Sequence, residues 1–119
     1  NLKIINVKGT NFKIENFYEG IARFNFNELC DQNLGAEDYL EIIKNCNFIV
    51  IDQIPLFDDT NSNQQQRFIT LLDVIYDKNI PISVTANQNL DKFTSSRLLE
   101  KSFKRTISRL YELTSVKYN

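Results

Sequence analysis

Asp52 closes an uninterrupted apolar run, Phe48-Ile-Val-Ile51, and is followed at once by Gln53. An apolar strand that ends in two acidic residues can hold a divalent cation through the first carboxylate and activate a water through the second. Gln53 stands in the second place. A glutamine can orient a water but is a very poor base, so the pair reads as disabled for hydrolysis. Further on, the β-branched run from Ile80 ends in Thr85-Ala86-Asn87. If the two runs are neighbouring parallel strands, Asp52, Gln53, Thr85 and Asn87 share the carboxyl edge of one sheet, where open α/β sheets gather functional groups. The plainer alternative is that Asp52 ends a buried strand and caps the loop after it.

The arginines form a second set. Arg105 and Arg109 lie four apart on one helical face, and Arg67 lies on the helical pattern between the two strands. Two guanidinium groups one turn apart can grip a carboxylate or a phosphate with fork geometry. The competing reading is a solvated basic face paired locally with Glu100 or Glu112. Basic and aromatic residues are not dense enough for a nucleic-acid surface, and 14 basic against 15 acidic residues give no overall bias toward one.

Composition removes several chemistries. With no histidine, a Ser-His or Cys-His nucleophile system is excluded within this chain, and the commonest metal ligand is missing. Cys30 and Cys46 lack metal-ligand spacing and read as reduced core thiols of a cytosolic protein. No metal site is expected. The three glycines, Gly9, Gly20 and Gly35, do not form the G-x-x-x-x-G-K-[ST] phosphate loop. No apolar run approaches the roughly 18–20 residues that cross a bilayer. The 119 residues contain no methionine, which suggests a piece of a longer protein whose active site lies elsewhere.

The elements that would position these residues follow from periodicity. Residues 2–14 alternate around the turn signal Lys8-Gly9-Thr10-Asn11, predicting a hairpin or sheet edge. Residues 15–20 read as a polar connection, 21–26 as a strand and 27–31 as a single turn. A helix is expected over 36–45 with Tyr39, Leu40, Ile42 and Ile43 as its apolar stripe. The strand 48–54, an exposed polar loop 55–63, a helix 64–77 burying Phe68, Leu71, Leu72, Ile75 and Tyr76, and a strand 80–87 make a β-α-β unit. A short turn at 89–93, a loop at 94–96 and a helix over 97–111 with Leu98, Phe103, Ile107 and Leu110 on its apolar side complete the chain. The expected fold class is α/β in a single domain. It combines a small mostly parallel sheet with flanking helices on its faces. Residues 1–26 supply a hairpin and an edge strand, and 27–119 the α/β unit.

Several spaced strings occur in order: Glu19-Gly-Ile-Ala-Arg-Phe24, Phe26-x-Glu28-Leu-Cys30, Leu34-Gly-Ala-x-Asp38-Tyr39-Leu40, Ile54-Pro55, Arg67-Phe-Ile69, Leu72-Asp-x-x-Tyr76-Asp77, Arg105-Thr-x-Ser-Arg-Leu110 and Tyr118. Over about residues 18–118 the chain resembles the C-terminal part of the ZapE-type P-loop ATPases, a bacterial cell-division-associated family with mitochondrial relatives. The resemblance implies an AAA+-like, P-loop NTPase-like fold and a parent that uses ATP and Mg2+, with its Walker motifs upstream of Asn1. No catalytic residue and no cofactor are then expected in this segment itself.

On that reading the strand ending in Asp52-Gln53 is a faded echo of a Walker B strand, and Thr85-Ala86-Asn87 of a sensor strand. The family usually carries Asp where this chain has Gln53. Arg67, Arg105 and Arg109 match family strings and become candidates for contacts to nucleotide or across an oligomer interface. Pairing with Asp38 or Asp73 to fix the fold is the alternative. Implied partners are the upstream ATPase core, cell-division or membrane-protein partners and further copies in a homo-oligomer. The implied location is the bacterial cytoplasm, with peripheral attachment to the inner membrane left open. Two other functions are weighed: a stand-alone protein-interaction module with a degenerate ATPase-like sheet, and a receiver-type phosphoswitch at Asp52 sensed by Thr85. The second lacks a well-placed acidic pair and a strand-end lysine.

Overall fold

Two tight turns build the amino-terminal part. In the computed structural model, which describes residues 1–114, β1 (Lys3–Val7) pairs antiparallel with β2 (Thr10–Ile14), and β3 (Asn16–Tyr18) with β4 (Ile21–Asn25). The connecting pairs are Lys8-Gly9 and Glu19-Gly20. All four residues have positive φ, at 51, 80, 48 and 85°, as the two-residue type I′ hairpin requires. Gly20 also leaves room for the Asn47 side chain, whose Nδ2 would lie 2.3 Å from a Cβ there and would have to move. Residues 15–20 are therefore not a polar connection but the middle of a second hairpin. The legible signal was Glu19-Gly20 set between Phe17-Tyr18 and Ile21-Ala22.

The chain leaves β4 one residue earlier than its alternation suggests. Asn25 Oδ1 accepts from Asn27 N at 3.1 Å, and Glu28 Oε1 accepts from Asn25 N at 2.8 Å. This capping box starts the short helix α1 (Phe26–Cys30) at Phe26, which stays buried. Helix α2 (Ala36–Ile43) opens where Asp38 accepts from the backbone N of Gly35 at 2.7 Å. Strand β5 (Phe48–Ile54), helix α3 (Ser62–Lys78), strand β6 (Ile82–Ala86) and helix α4 (Glu100–Thr114) follow. Helix α3 stops at Asn79, left-handed at φ 55°, a residue type that tolerates that conformation.

Strands β1 and β2 form a sheet of their own, and the other four are ordered β3-β4-β5-β6. The β4–β5 and β5–β6 pairs are parallel and β3–β4 is antiparallel. The α/β class matches expectation, and the sheet is mixed, partly parallel rather than parallel throughout. The flanking helices match as well, and they lie against one face of the sheet. Ala22, Phe24, Ile49, Ile51 and Ile82 are buried on one face. On the other face the register aligns Tyr18, Ile21 and Phe48 in one row and Asn16, Arg23, Val50 and Ser83 in the next, and none of these is buried. Tyr18 is 59% and Ile21 48% exposed. The cause is connectivity: β4, β5 and β6 advance in one direction, and right-handed crossovers that do not reverse put their helices on the same side.

The core between sheet and helices is aromatic where the loop after β5 enters it. Phe57 is fully buried and lies 5.7 Å from the ring centre of Phe26, 5.9 Å from Phe68 and 5.4 Å from Phe103. The stretch 55–63 is thus not simply an exposed polar loop but one pinned by its phenylalanine. Leu98, expected on the apolar side of the last helix, precedes α4 and is 89% exposed. Tyr76 is half-buried rather than in the core. Both cysteines are free and buried, and burial pushes the Cys30 thiol up to about 12 and Cys46 to about 11, so both are unreactive thiols at neutral pH. Tyr118 lies outside the described residues. Among those described, no helix is long and apolar enough to cross a membrane.

Candidate functional site

The polar end of the four-stranded sheet draws on three strands. Asp52 is not the last residue of β5; the strand bulges after it, with a register shift between Ile51 and Ile54 and Gln53 at φ 63°. The bulge turns the backbone N of Gln53 toward β6, where it donates to Thr85 Oγ1 at 3.0 Å. Thr85 Oγ1 in turn donates to Asp52 Oδ1 at 3.0 Å. From β4, Arg23 donates Nε to Asp52 Oδ2 at 2.6 Å and Nη2 to Oδ1 at 3.2 Å. Asn25 Nδ2 donates to Gln53 Oε1. Asp52, Gln53 and Thr85 are brought together as the sequence predicted. Asn87 lies beyond β6 and is exposed, outside this network.

Arg23 and Asn25 escaped the sequence reading as site residues. The usable signal was the alternation of β4, which sets Ile21, Arg23 and Asn25 on one face, beside a parallel strand carrying Asp52. The electrostatics follow from the contact. Hydrogen bonds from Arg23 hold the Asp52 carboxyl below its usual range, against the opposing effect of burial and with a further contribution from Thr85. The Arg23 guanidinium is raised in return by its bond to Asp52.

This donor set does not fit magnesium. Both oxygens of Asp52 already accept hydrogen bonds, and its neighbour Gln53 offers an amide. The nearest charge is a guanidinium. Among the described residues no group of three or more acidic or thiol side chains could hold a metal ion. The arrangement fastens β4, β5 and β6 to one another at their carboxyl ends. It has no base and no free carboxylate with which to activate a water.

The three arginines have separate surroundings. Arg67 reaches across to α1 and donates to the carbonyl of Cys30 at 3.1 Å, satisfying the end of that helix. Arg109 pairs with Asp73 of α3, and its guanidinium lies 4.7 Å from the ring centre of Tyr76. The Tyr76 hydroxyl donates to Glu112 at 2.7 Å. Of the partners weighed for these arginines, Asp73 is the one engaged, while Glu112 accepts from Tyr76 and no ion pair to Glu100 or Asp38 from these arginines forms among the described residues. Asp38 instead caps α2 and lies 3.8 Å from Lys8. Arg105 is exposed and makes no hydrogen bond or ion pair among the described residues.

Comparison with known proteins adds what the geometry alone does not carry. The model of the AFG1-like ATPase family matches residues 1–119. Lactation elevated protein 1 homolog B of Danio rerio is 34% identical over 90 residues, which are 76% of this chain and 18% of that protein. Cell division protein ZapE of Escherichia coli (strain K12) is 26% identical over 93 residues, covering 78% of this chain and 25% of that protein. The chain therefore spans a quarter or less of the length of these relatives. No solved structure matches the chain.

Proposed function

Because the chain belongs to the AFG1-like ATPase family, we propose that it is an accessory region of an AAA+ ATPase that does not itself hydrolyse nucleotide. The Walker motifs, ATP and Mg2+ belong to an upstream part of the same protein, and this region is its partner, bracing the nucleotide site, the assembly or a partner-binding surface. The observation that carries this reading is the Arg23–Asp52 pair: the carboxylate placed like a metal ligand already accepts hydrogen bonds from a guanidinium and from Thr85. The chain also lacks a phosphate loop. Its sheet is a degenerate relative of the P-loop NTPase sheet.

Of the three candidate arginines we assign the outward role to Arg105, a reading supported by its exposure and by the lack of a partner for it among the described residues. Arg67 and Arg109 already serve the packing of α3 against α1 and α4. Coupling to cell-division or membrane-protein partners, work in the cytoplasm or at its membrane, and homo-oligomerisation belong to the same reading; ZapE carries cell division in its name. A phosphoswitch at Asp52 has less support, since its immediate neighbour is Arg23 rather than a second acid.

The test is Mg-ATP binding by calorimetry and phosphate release. The 119-residue chain should do neither. The protein extended to include the upstream ATPase core should hydrolyse ATP, with turnover reduced by Arg105→Ala. Turnover by the short chain, lost in Asp52→Ala, would overturn the proposal.

A further inference from the structure

Strand β5 is apolar on both of its sides. Ile49 and Ile51 are buried under the helices, while Phe48 and Val50 lie on the opposite face and stay half-buried. A parallel strand apolar at consecutive positions has the composition of one buried on both faces, whereas a strand with one wet face alternates. The register carries the pattern across the sheet, since Phe48 lies beside Ile21 and Ile21 beside Tyr18. Tyr18 and Ile21 are nevertheless exposed. The crossovers that lead from β4 to β5 and from β5 to β6 place their helices on the other face, so neither supplies a cover. The carboxyl end of the face is closed by the Arg23–Asp52 pair, which leaves the apolar row at the amino ends of β4 and β5. Asn1 is fastened to the same edge, where its carbonyl accepts from Phe17 N at 2.8 Å, one residue from Tyr18.

We propose that the row Tyr18–Ile21–Phe48 seats an apolar segment from the part of the same polypeptide that precedes Asn1. The proposal rests on the reading that an ATPase core lies upstream, and it places the joint between that core and this region on the open sheet face. The matched residues are only 18 and 25% of the relatives' lengths, so polypeptide outside this region is plentiful. Chemistry limits what the segment presents. Aliphatic or aromatic side chains meet the row and remove its apolar area from water. Toward Arg23 the segment is polar but uncharged, because Arg23 already has its counter-ion in Asp52 and a further charge buried there would lack a partner of its own.

The test compares the 119-residue chain with the protein extended upstream to include the ATPase core. Tyr18→Cys and Ile21→Cys are made singly in each, and maleimide labelling is followed by mass spectrometry of the peptide that carries the new thiol. Residues 115–119 are common to both proteins, so the comparison isolates the upstream polypeptide. Labelling should be rapid in the short chain and slower by about tenfold or more in the extended protein. Ile21→Asp should leave the melting temperature of the short chain unchanged, because the position is exposed, and lower that of the extended protein. Equal labelling in the two proteins overturns the proposal, even where the extended protein hydrolyses ATP and the function proposed above stands. Slow labelling in an extended protein that does not hydrolyse ATP supports the joint and overturns that function instead. Protection that develops in the short chain as its concentration is raised puts a second copy on the face and overturns the assignment to upstream polypeptide.

Discussion

Arg23 on β4 and Asp52 on β5 meet two residues out of register across a parallel strand pair, with Nε 2.6 Å from Oδ2 and Nη2 3.2 Å from Oδ1. The contact decides what the carboxyl edge can do. A carboxylate at the end of a parallel strand is positioned to hold a cation, and here the cation is covalently part of the neighbouring strand. Thr85 takes the remaining direction at 3.0 Å. The site is electrically closed, and its contribution is to hold three strand ends in register.

Restoring the second acid should therefore not restore chemistry. Gln53→Glu supplies the missing base, yet Asp52 remains bound to Arg23 and the phosphate cradle is still absent. Phosphate release by the Gln53→Glu chain with Mg-ATP is expected to stay at background, and 10 mM magnesium should leave its melting temperature unchanged. A magnesium-dependent rise in Tm would show that the edge binds metal after all.

The Arg23–Asp52 pair also sets a pH dependence. The folded Asp52 carboxyl is depressed, so its contribution to stability is complete above the ordinary carboxylate value of about 3.9. It is lost as pH falls from there through the folded value. Asp59, held down by Arg97, acts with the same sign. Asp52→Asn should be less stable than the parent at pH 7, by about 1 kcal/mol or less because the pair is partly exposed. The two proteins should converge as pH drops below ~4, which denaturant melts at successive pH values will read.

Phe57 is the most costly single truncation expected outside the regular elements. It is fully buried and touches Phe26, Phe68 and Phe103, so it joins α1, α3 and α4 at one point. Phe57→Ala should destabilise by about 3–5 kcal/mol, against a few tenths for Leu56→Ala beside it, which is 43% exposed. Equilibrium urea unfolding of the two variants makes the comparison.

The contrast between Phe57 and its surroundings also explains what the sequence could tell. The β-α-β unit was legible because Phe48–Ile54 is a continuous apolar run and α3 repeats its apolar residues at three and four. A single phenylalanine among Pro55, Asp58, Asp59 and Asn61 has no period, so composition alone labels it loop. Asp52, Gln53 and Thr85 could be placed at one edge because strand ends follow from strands. Their partners Arg23 and Asn25 needed one step more: the alternation of β4 sets both on one face, but its place beside β5 depends on pairing between distant segments. The single covered face follows from the order of three strands, which no local pattern encodes.

The two arginines of α4 separate packing from function. Arg109 is mostly enclosed, paired with Asp73 and lying over Tyr76, so it ties α4 to α3. Arg109→Ala should lower stability by about 1–2 kcal/mol, a fall in Tm of roughly 4–8 °C, and Asp73→Ala should not add the same loss again in the double variant. Arg105, one turn earlier, is exposed and unpaired among the described residues, so Arg105→Ala should leave the melt within about 0.5 kcal/mol of the parent. If the proposed function holds, the order should reverse in a protein extended upstream to an ATPase core. Arg105→Ala should lower kcat, since a guanidinium on transferring phosphate acts on the transition state, and Arg105→Lys should recover little of it because the planar fork is lost. If Arg105→Ala leaves turnover untouched while Arg109→Ala abolishes it at temperatures where both variants are folded, the assignment of the outward-acting arginine is wrong, and α4 must turn its other face to the nucleotide.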